Sequence, residues 1–180
     1  MFEYDVLENG FTELSNDCTL SVVKIREITN IKEKRKWMEY FRKSYSGNVI
    51  ALNADMLGVY CRFFVASLNG KDAGFIRITN YTNKWSKYYD GDVWNASDAY
   101  VKKPYRGNTV LRQLLEYVIE NCNVMSMLIE TERFMCYDIY YRTLGFNYMW
   151  TFGDRVLCMA VTDKLKDAAI KRNDDLDKLN

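Results

Sequence analysis

Histidine is absent from this chain, and its absence removes whole branches of chemistry. Ser-His-Asp and Cys-His catalysis cannot operate without an imidazole, nor can a metal site that depends on one. Proton transfer then falls to Asp, Glu, Tyr, Lys, Cys or water. Proline occurs once, which argues against rigid linkers and long disordered segments. The five cysteines stand at 18, 61, 122, 136 and 158, odd in number and without a C-x-x-C pair. They read as reduced core thiols of a cytoplasmic protein. No apolar run approaches a membrane span, and the Met1-Phe2-Glu3-Tyr4-Asp5 start lacks a secretory pattern. A formal net charge of +1 gives no reason to expect bulk nucleic acid or an anionic membrane as a partner.

What is present fits one domain with a sizeable core: 180 residues, 48% hydrophobic and 27% charged. Alternation predicts a first strand over Leu20 to Ile28. Asn30 with Glu33 suits the start of a helix whose apolar stripe is Ile31, Trp37, Met38, Phe41 and Tyr45. Val59 to Leu68 is strand-like, Asn69-Gly70 is a hairpin signal, and Phe75 to Ile78 returns. A polar, aromatic loop with Tyr81, Trp85, Tyr88 and Tyr89 precedes a strand over Val93 to Val101. Val110, Leu111, Leu114, Leu115, Val118, Ile119 and Cys122 form one helical stripe. Val124 to Ile129 reads as a strand covered on both faces.

A helix through Tyr137, Tyr140, Tyr141 and Leu144 ends at Gly145, and strands over Phe146 to Trp150 and Arg155 to Val161 follow. Residues 1–161 thus form the domain, and residues 162–180 a charged, helical tail with frayed last turns. This order predicts an α/β fold with a mixed, mainly antiparallel central sheet and helices on both faces.

The densest signal is Val101-Lys102-Lys103-Pro104-Tyr105-Arg106-Gly107-Asn108-Thr109-Val110-Leu111. A strand breaks at a glycine and opens a helix there, so its first N–H groups point outward, where an anion can be held. Asn108 is placed to cap that helix. Further on comes Tyr141-Arg142-Thr143-Leu144-Gly145-Phe146. Together the two segments resemble the acyl-CoA turn and the later tyrosine motif of the GNAT family of N-acetyltransferases. The element order over Leu20 to Val161 is similar to that family's fold. Thr109 stands where the family keeps glycine, and Leu111 where it keeps glycine or alanine.

The resemblance implies acetyl-CoA as co-substrate, no metal, and a small-molecule or protein amine as acceptor. The backbone of Tyr100 and Val101 would pair with the pantetheine arm, and Arg106, Gly107, Asn108, Thr109, Val110 and Leu111 would surround the pyrophosphate. The amine would attack the thioester directly in a ternary complex, with Tyr141 as general acid toward the leaving thiolate. Asp98 is the leading carboxylate for the general base, and Glu130 or a water chain stands second. Strand alternation puts Asp98, Tyr100 and Lys102 on one face and Ala99 and Val101 on the other. Cys136 reads as a buried thiol, since no histidine is there to activate it.

The aromatic segment from Tyr81 to Tyr89 suits the acceptor side of a cleft. The altered turn keeps a second reading open, a GNAT-fold protein without catalysis that acts as a binding or structural subunit. The Asn-, Lys- and Tyr-rich composition fits an AT-rich genome such as that of a bacterial virus. A third reading, transfer to nucleic-acid bases, would call for a basic face that the charge balance does not supply. A homodimer is compatible with the pattern but not required by it.

Overall fold

The computed structural model describes residues 23–44, 57–122, 124–130, 142–146, 148–152, 155–159 and 163–178. The elements run β1 (Val23–Ile28), α1 (Ile31–Ser44), β2 (Cys61–Leu68), β3 (Lys71–Asn80), α2 (Thr82–Trp85) and β4 (Trp94–Val101). They continue with α3 (Val110–Cys122), β5 (Val124–Glu130), β6 (Tyr148–Phe152), β7 (Arg155–Met159) and α4 (Asp163–Asp177). All seven strands form one sheet in the order β1-β2-β3-β4-β5-β7-β6. The β4–β5 ladder is parallel and every other ladder is antiparallel. The expected mixed, mainly antiparallel sheet is therefore what the chain forms.

Local chemistry accounts for several of these elements. Asn69 and Gly70 both have positive φ, 51° and 75°, as a tight hairpin turn requires, and Leu68 then pairs with Lys71. The Asn30 carboxamide oxygen accepts from the backbone N–H groups of Lys32 and Glu33 at 2.9 and 3.3 Å, which caps α1. Glu33 does not complete a capping box, because Arg26 holds its carboxylate at 2.5 Å. Trp37, Met38 and Phe41 bury the expected stripe of α1 against Phe63, Val65 and Phe75. Ile31 is 57% exposed and lies off that stripe. Tyr45 falls outside the described residues.

On the opposite face α3 packs Val110, Leu114, Leu115, Val118 and Cys122 against Phe64, Ile76, Ile78, Ala96 and Ala99. Each of its fully buried leucine or valine side chains contributes about 1.5–3 kcal/mol relative to exposure. Leu144 and Phe146 join the same cluster beside Gly145, whose φ is +91°. The sheet is thus a layer between α1 and α3, with β4 reaching both.

The aromatic segment differs from expectation. Residues 82–85 form the short helix α2, and Trp85 is 3% exposed. Ala168 and Ala169 of α4 pack on Trp85 and Val93, while Arg172 lies 4.7 Å from the Trp85 ring centroid. Lys87 and the Tyr88 hydroxyl both reach Asp175, at 2.7 and 3.1 Å. Small residues on α4 let it close over the tryptophan, which is therefore core and not a cleft wall.

Candidate functional site

The site is built around an irregularity in β4. Arg77 of β3 pairs with Asp98, but Ile78 pairs with Ala96, so Ser97 is an extra residue and β4 carries a bulge. On the other edge of β4 the ladder with β5 runs Trp94↔Val124, Asn95↔Ser126 and Ala96↔Met127. There it stops, although β4 continues to Val101 and β5 to Glu130, which pairs with Arg155 of β7. Past Ala96 the two parallel strands diverge. A strand edge facing a split offers alternating N–H and C=O groups to an extended ligand.

At the bulge a buried polar cluster lies on the α1 face. Asp98 is 4% exposed, and its Oδ2 accepts from Arg77 Nε at 2.5 Å and also from Arg77 Nη2. Arg77 Nη1 reaches Cys61 Sγ at 3.3 Å and Thr79 Oγ1 at 3.4 Å. Thr79 and Ser97 share a hydroxyl hydrogen bond of 2.7 Å, and Asn95 Nδ2 donates to Ser97 Oγ at 3.2 Å. Burial works against the Arg77 charge, but the adjacent Asp98 carboxylate and Cys61 sulfur together more than offset it, so the guanidinium is held above its ordinary pKa.

The split opens onto the glycine turn. A 3-10 turn over Lys103–Tyr105 leaves Arg106 extended, and Arg106 Nε donates to the Val101 carbonyl at 2.9 Å. Gly107 has φ +80°, while a Cβ there would meet nothing within 4 Å. Glycine is needed for its backbone angle and not for space. The first α3 bond runs from Gln113 N–H to the Thr109 carbonyl at 2.9 Å, which makes Thr109 the cap. Asn108, expected at that position, instead donates its Nδ2 to the Arg106 carbonyl at 3.4 Å. The reason is that the helix opens one residue later than its sequence suggests.

Thr109 takes φ +57°, the left-handed angle for which glycine is better suited. Its Oγ1 accepts from Gln113 Nε2 at 2.9 Å, a bond that leaves the hydroxyl hydrogen available to an anion. Leu111 packs against the α3-face core, and Val110 is fully inside it. The leucine side chain therefore turns toward the core, while the first N–H groups of the helix keep their outward direction.

Tyr100 lies on the α1 face and packs against its cluster, whereas Ala99 and Val101 join the α3-face cluster. The Tyr100 ring lies parallel to that of Tyr40, with centroids 6.4 Å apart, and Arg106 Cζ stands 5.7 Å from it. Gly74 of β3 faces this stretch: a Cβ there would sit 2.7 Å from the Tyr100 carbonyl oxygen. Tyr141 and Cys136 lie outside the described residues. Glu130 ends β5 at the split, with only its backbone described. Among the described residues no cluster of His, Cys, Asp and Glu suits a metal ion. No described helix is long and apolar enough to cross a membrane.

A sheet that opens between two parallel strands onto a glycine turn at a helix N-terminus leaves an unpaired strand edge and outward N–H groups side by side. The model of the acetyltransferase (GNAT) family matches residues 24–146, and the chain belongs to that family. The fold is similar to that of a possible acetyltransferase from Clostridium difficile 630, 19% identical, with a TM-score of 0.55 over 73% of this chain and 95% of that one. It is also similar to an aminoglycoside acetyltransferase from an uncultured soil metagenomic sample, in complex with sisomicin: 12% identity, TM-score 0.59, over 73% and 93% of the two chains. A third similar structure is the aminoglycoside N-acetyltransferase AAC(6')-Iy in complex with CoA: 20% identity, TM-score 0.51, over 72% and 96%. No curated protein matches the sequence.

Proposed function

We propose that the chain transfers the acetyl group of acetyl-CoA to a primary amine on a small molecule. The observation that carries this reading is the divergence of β4 from β5 beyond Ala96, directly beside the Gly107–Thr109 turn. In this reading pantetheine lies in the split along Tyr100 and Val101. The pyrophosphate meets the N–H groups of Asn108, Thr109, Val110 and Leu111, helped by the positive end of α3. The aminoglycoside substrates of two fold neighbours make a small-molecule amine the natural acceptor class to screen.

Chemically, the amine lone pair attacks the thioester carbonyl, the C–S bond breaks, and the thiolate leaves with a proton. Tyr141 is assigned as the donor of that proton, since a phenol of pKa about 10 is matched to a thiol. For Asp98 the surroundings favour a different part from the base that its position in the sequence suggested. A base must take its proton from the amine, yet the described Asp98 is buried with Arg77 on its Oδ2. It is proposed as a positioning residue that holds the bulge, and water or Glu130 is left to deprotonate the amine.

The test is a calorimetric titration of nucleotide-free protein with acetyl-CoA. Micromolar binding, about −8 kcal/mol, supports the reading and opens an amine screen by thiol release. Absence of binding at millimolar ligand overturns it in favour of a fold kept for holding a partner.

A further inference from the structure

The near-neutral total charge hides one uneven element. Helix α1 carries six cations and two carboxylates in a chain whose net charge is +1, so the rest of the chain is net negative. Of these cations, Lys34 turns inward and donates to the Cys61 carbonyl at 3.2 Å. Arg42 and Lys43 stand in the last turn, where the helix dipole favours them. Lys32, Arg35 and Lys36 have neither role. They are exposed, they repel one another at i, i+3 and i+4, and Lys32 opposes the dipole in the first turn. None of the three joins an ion pair among the described residues. Glu33 is not available to them, because Arg26 holds it and also reaches Asp72.

An open depression of about 330 Å³ lies beside these cations, lined among the described residues by Ile31, Lys32, Arg35, Lys36 and Glu39. Three cations against one carboxylate leave it positive, and Ile31 is 57% exposed there. Its complement is an acidic segment that also carries apolar side chains. Residues 1–22 hold five carboxylates, Glu3, Asp5, Glu8, Glu13 and Asp17, and no lysine or arginine. In Phe2-Glu3-Tyr4-Asp5-Val6-Leu7-Glu8 these carboxylates are interleaved with apolar residues. The segment enters the fold at Val23, which pairs with Leu68 at the sheet end where Lys102 reaches Trp37 of α1. A 14-residue helix is about 21 Å long, a distance that about seven extended residues span.

We infer that residues 1–22 dock on this outer face of α1, with carboxylates on Lys32, Arg35 and Lys36 and an apolar side chain on Ile31. The occupant is the chain's own segment, not a nucleic acid or a second copy. Tethering brings the segment to an effective concentration on the order of millimolar, which a free polyanion must exceed to displace it. The docking surface lies outside the acetyltransferase reading and does not depend on it.

The test is zero-length carbodiimide cross-linking of the full chain, which joins carboxylates to lysines in ion-pair contact. The monomer fraction is digested and read by mass spectrometry. At low salt, cross-links from the carboxylates of residues 1–22 to Lys32 or Lys36 are expected. They should be lost at about 1 M salt, where charges are screened within about 3 Å. Arg35→Glu, which keeps both lysines but reverses the charge between them, should lose them as well. Independently, replacing the five carboxylates by their amides should raise amine-reagent labelling of Lys32 and Lys36 and leave the exposed Lys71 and Lys103 unchanged. The inference is overturned if no cross-link joins residues 1–22 to Lys32 or Lys36, or if such links occur only in a cross-linked dimer. It is equally overturned if the amide variant leaves labelling unchanged, or if an oligonucleotide protects these lysines in the wild type at physiological salt.

Discussion

The two halves of β4 have the same neighbour on one side, but only one of them has a described neighbour on the other. From Trp94 to Ala96 the strand is held between β3 and β5, whereas from Asp98 to Val101 its described ladder is to β3. Each half also has its own arginine and carboxylate. At the closed end Arg62 lies against the Phe64 and Trp94 rings and holds Glu27 at 2.6 Å, both side chains about a third exposed (35% and 36%). At the open end Arg77 and Asp98 form their pair in the interior. A strand that gives up a neighbour has to be fixed by something else. Here the replacement is a buried ion pair at the bulge, placed where the ladder with β5 ends.

Breaking the two pairs should therefore have unequal effects. Asp98→Asn leaves a buried guanidinium without its counter-charge and is expected to cost about 3–5 kcal/mol. In a chain of this size that is a fall in Tm on the order of 10 °C. Replacing both partners, Arg77→Met with Asp98→Leu, should return much of the stability but not the affinity for CoA, since the bulge loses its polar anchor. If Asp98→Asn instead melts like the wild type and loses only turnover, Asp98 is the base and not the anchor.

Next in size is a test of the proposed chemistry. Tyr141→Phe should reduce kcat about a hundredfold with CoA affinity nearly unchanged, the lower range for loss of a general acid. Equal turnover would remove Tyr141 from that role. Gly74→Ala comes third. Its Cβ would press on the Tyr100 carbonyl from 2.7 Å, so β3 or β4 must shift at a cost of about 1–3 kcal/mol. Because the displaced carbonyl belongs to the stretch of β4 that borders the split on its other edge, CoA binding should weaken along with thermal stability. A variant that melts early but binds CoA normally would show that the open half tolerates movement.

The hairpin and the α3 stripe were easier to read from sequence than the bulge, for physical reasons. Asn69-Gly70 prefers the angles that its turn needs, and the α3 stripe repeats at helical spacing, so local chemistry and tertiary structure agree. The bulge leaves no such mark. Ala96, Ser97 and Asp98 read as ordinary strand residues, and the partner that makes Asp98 an anchor lies 21 residues earlier on another strand. Thr109 contradicts its own preference, because a β-branched residue seldom takes a left-handed angle, and the glycine turn imposes it. Trp85 resembled a cleft aromatic because what covers it, Ala168 and Ala169, is small and distant in sequence. Alternation did place Asp98 and Tyr100 on one face and Ala99 and Val101 on the other. Position was thus legible where side-chain partners were not.

The smallest effect belongs to the closed end and fixes the scale of the contrast. The hydrogen bond from Arg62 holds Glu27 below the usual carboxylate range, against burial, which pushes the other way. A lowered folded pKa means that the pair stabilises the fold above the unfolded value, about 4.3, and loses that contribution as pH falls through the folded value. With both side chains about a third exposed, solvent screening limits the worth of the pair to a few tenths of a kcal/mol. Glu27→Gln should therefore lower Tm by about a degree at neutral pH and by nothing once the wild-type carboxylate is protonated. Melting curves of the two proteins from pH 7 down to about pH 3 would read this directly, as a gap that closes on acidification. A gap as large as that of Asp98→Asn, or one that widens in acid, would mean that the closed half also depends on its ion pair. The distinction between a strand held by two neighbours and one held by a buried charge would then fail.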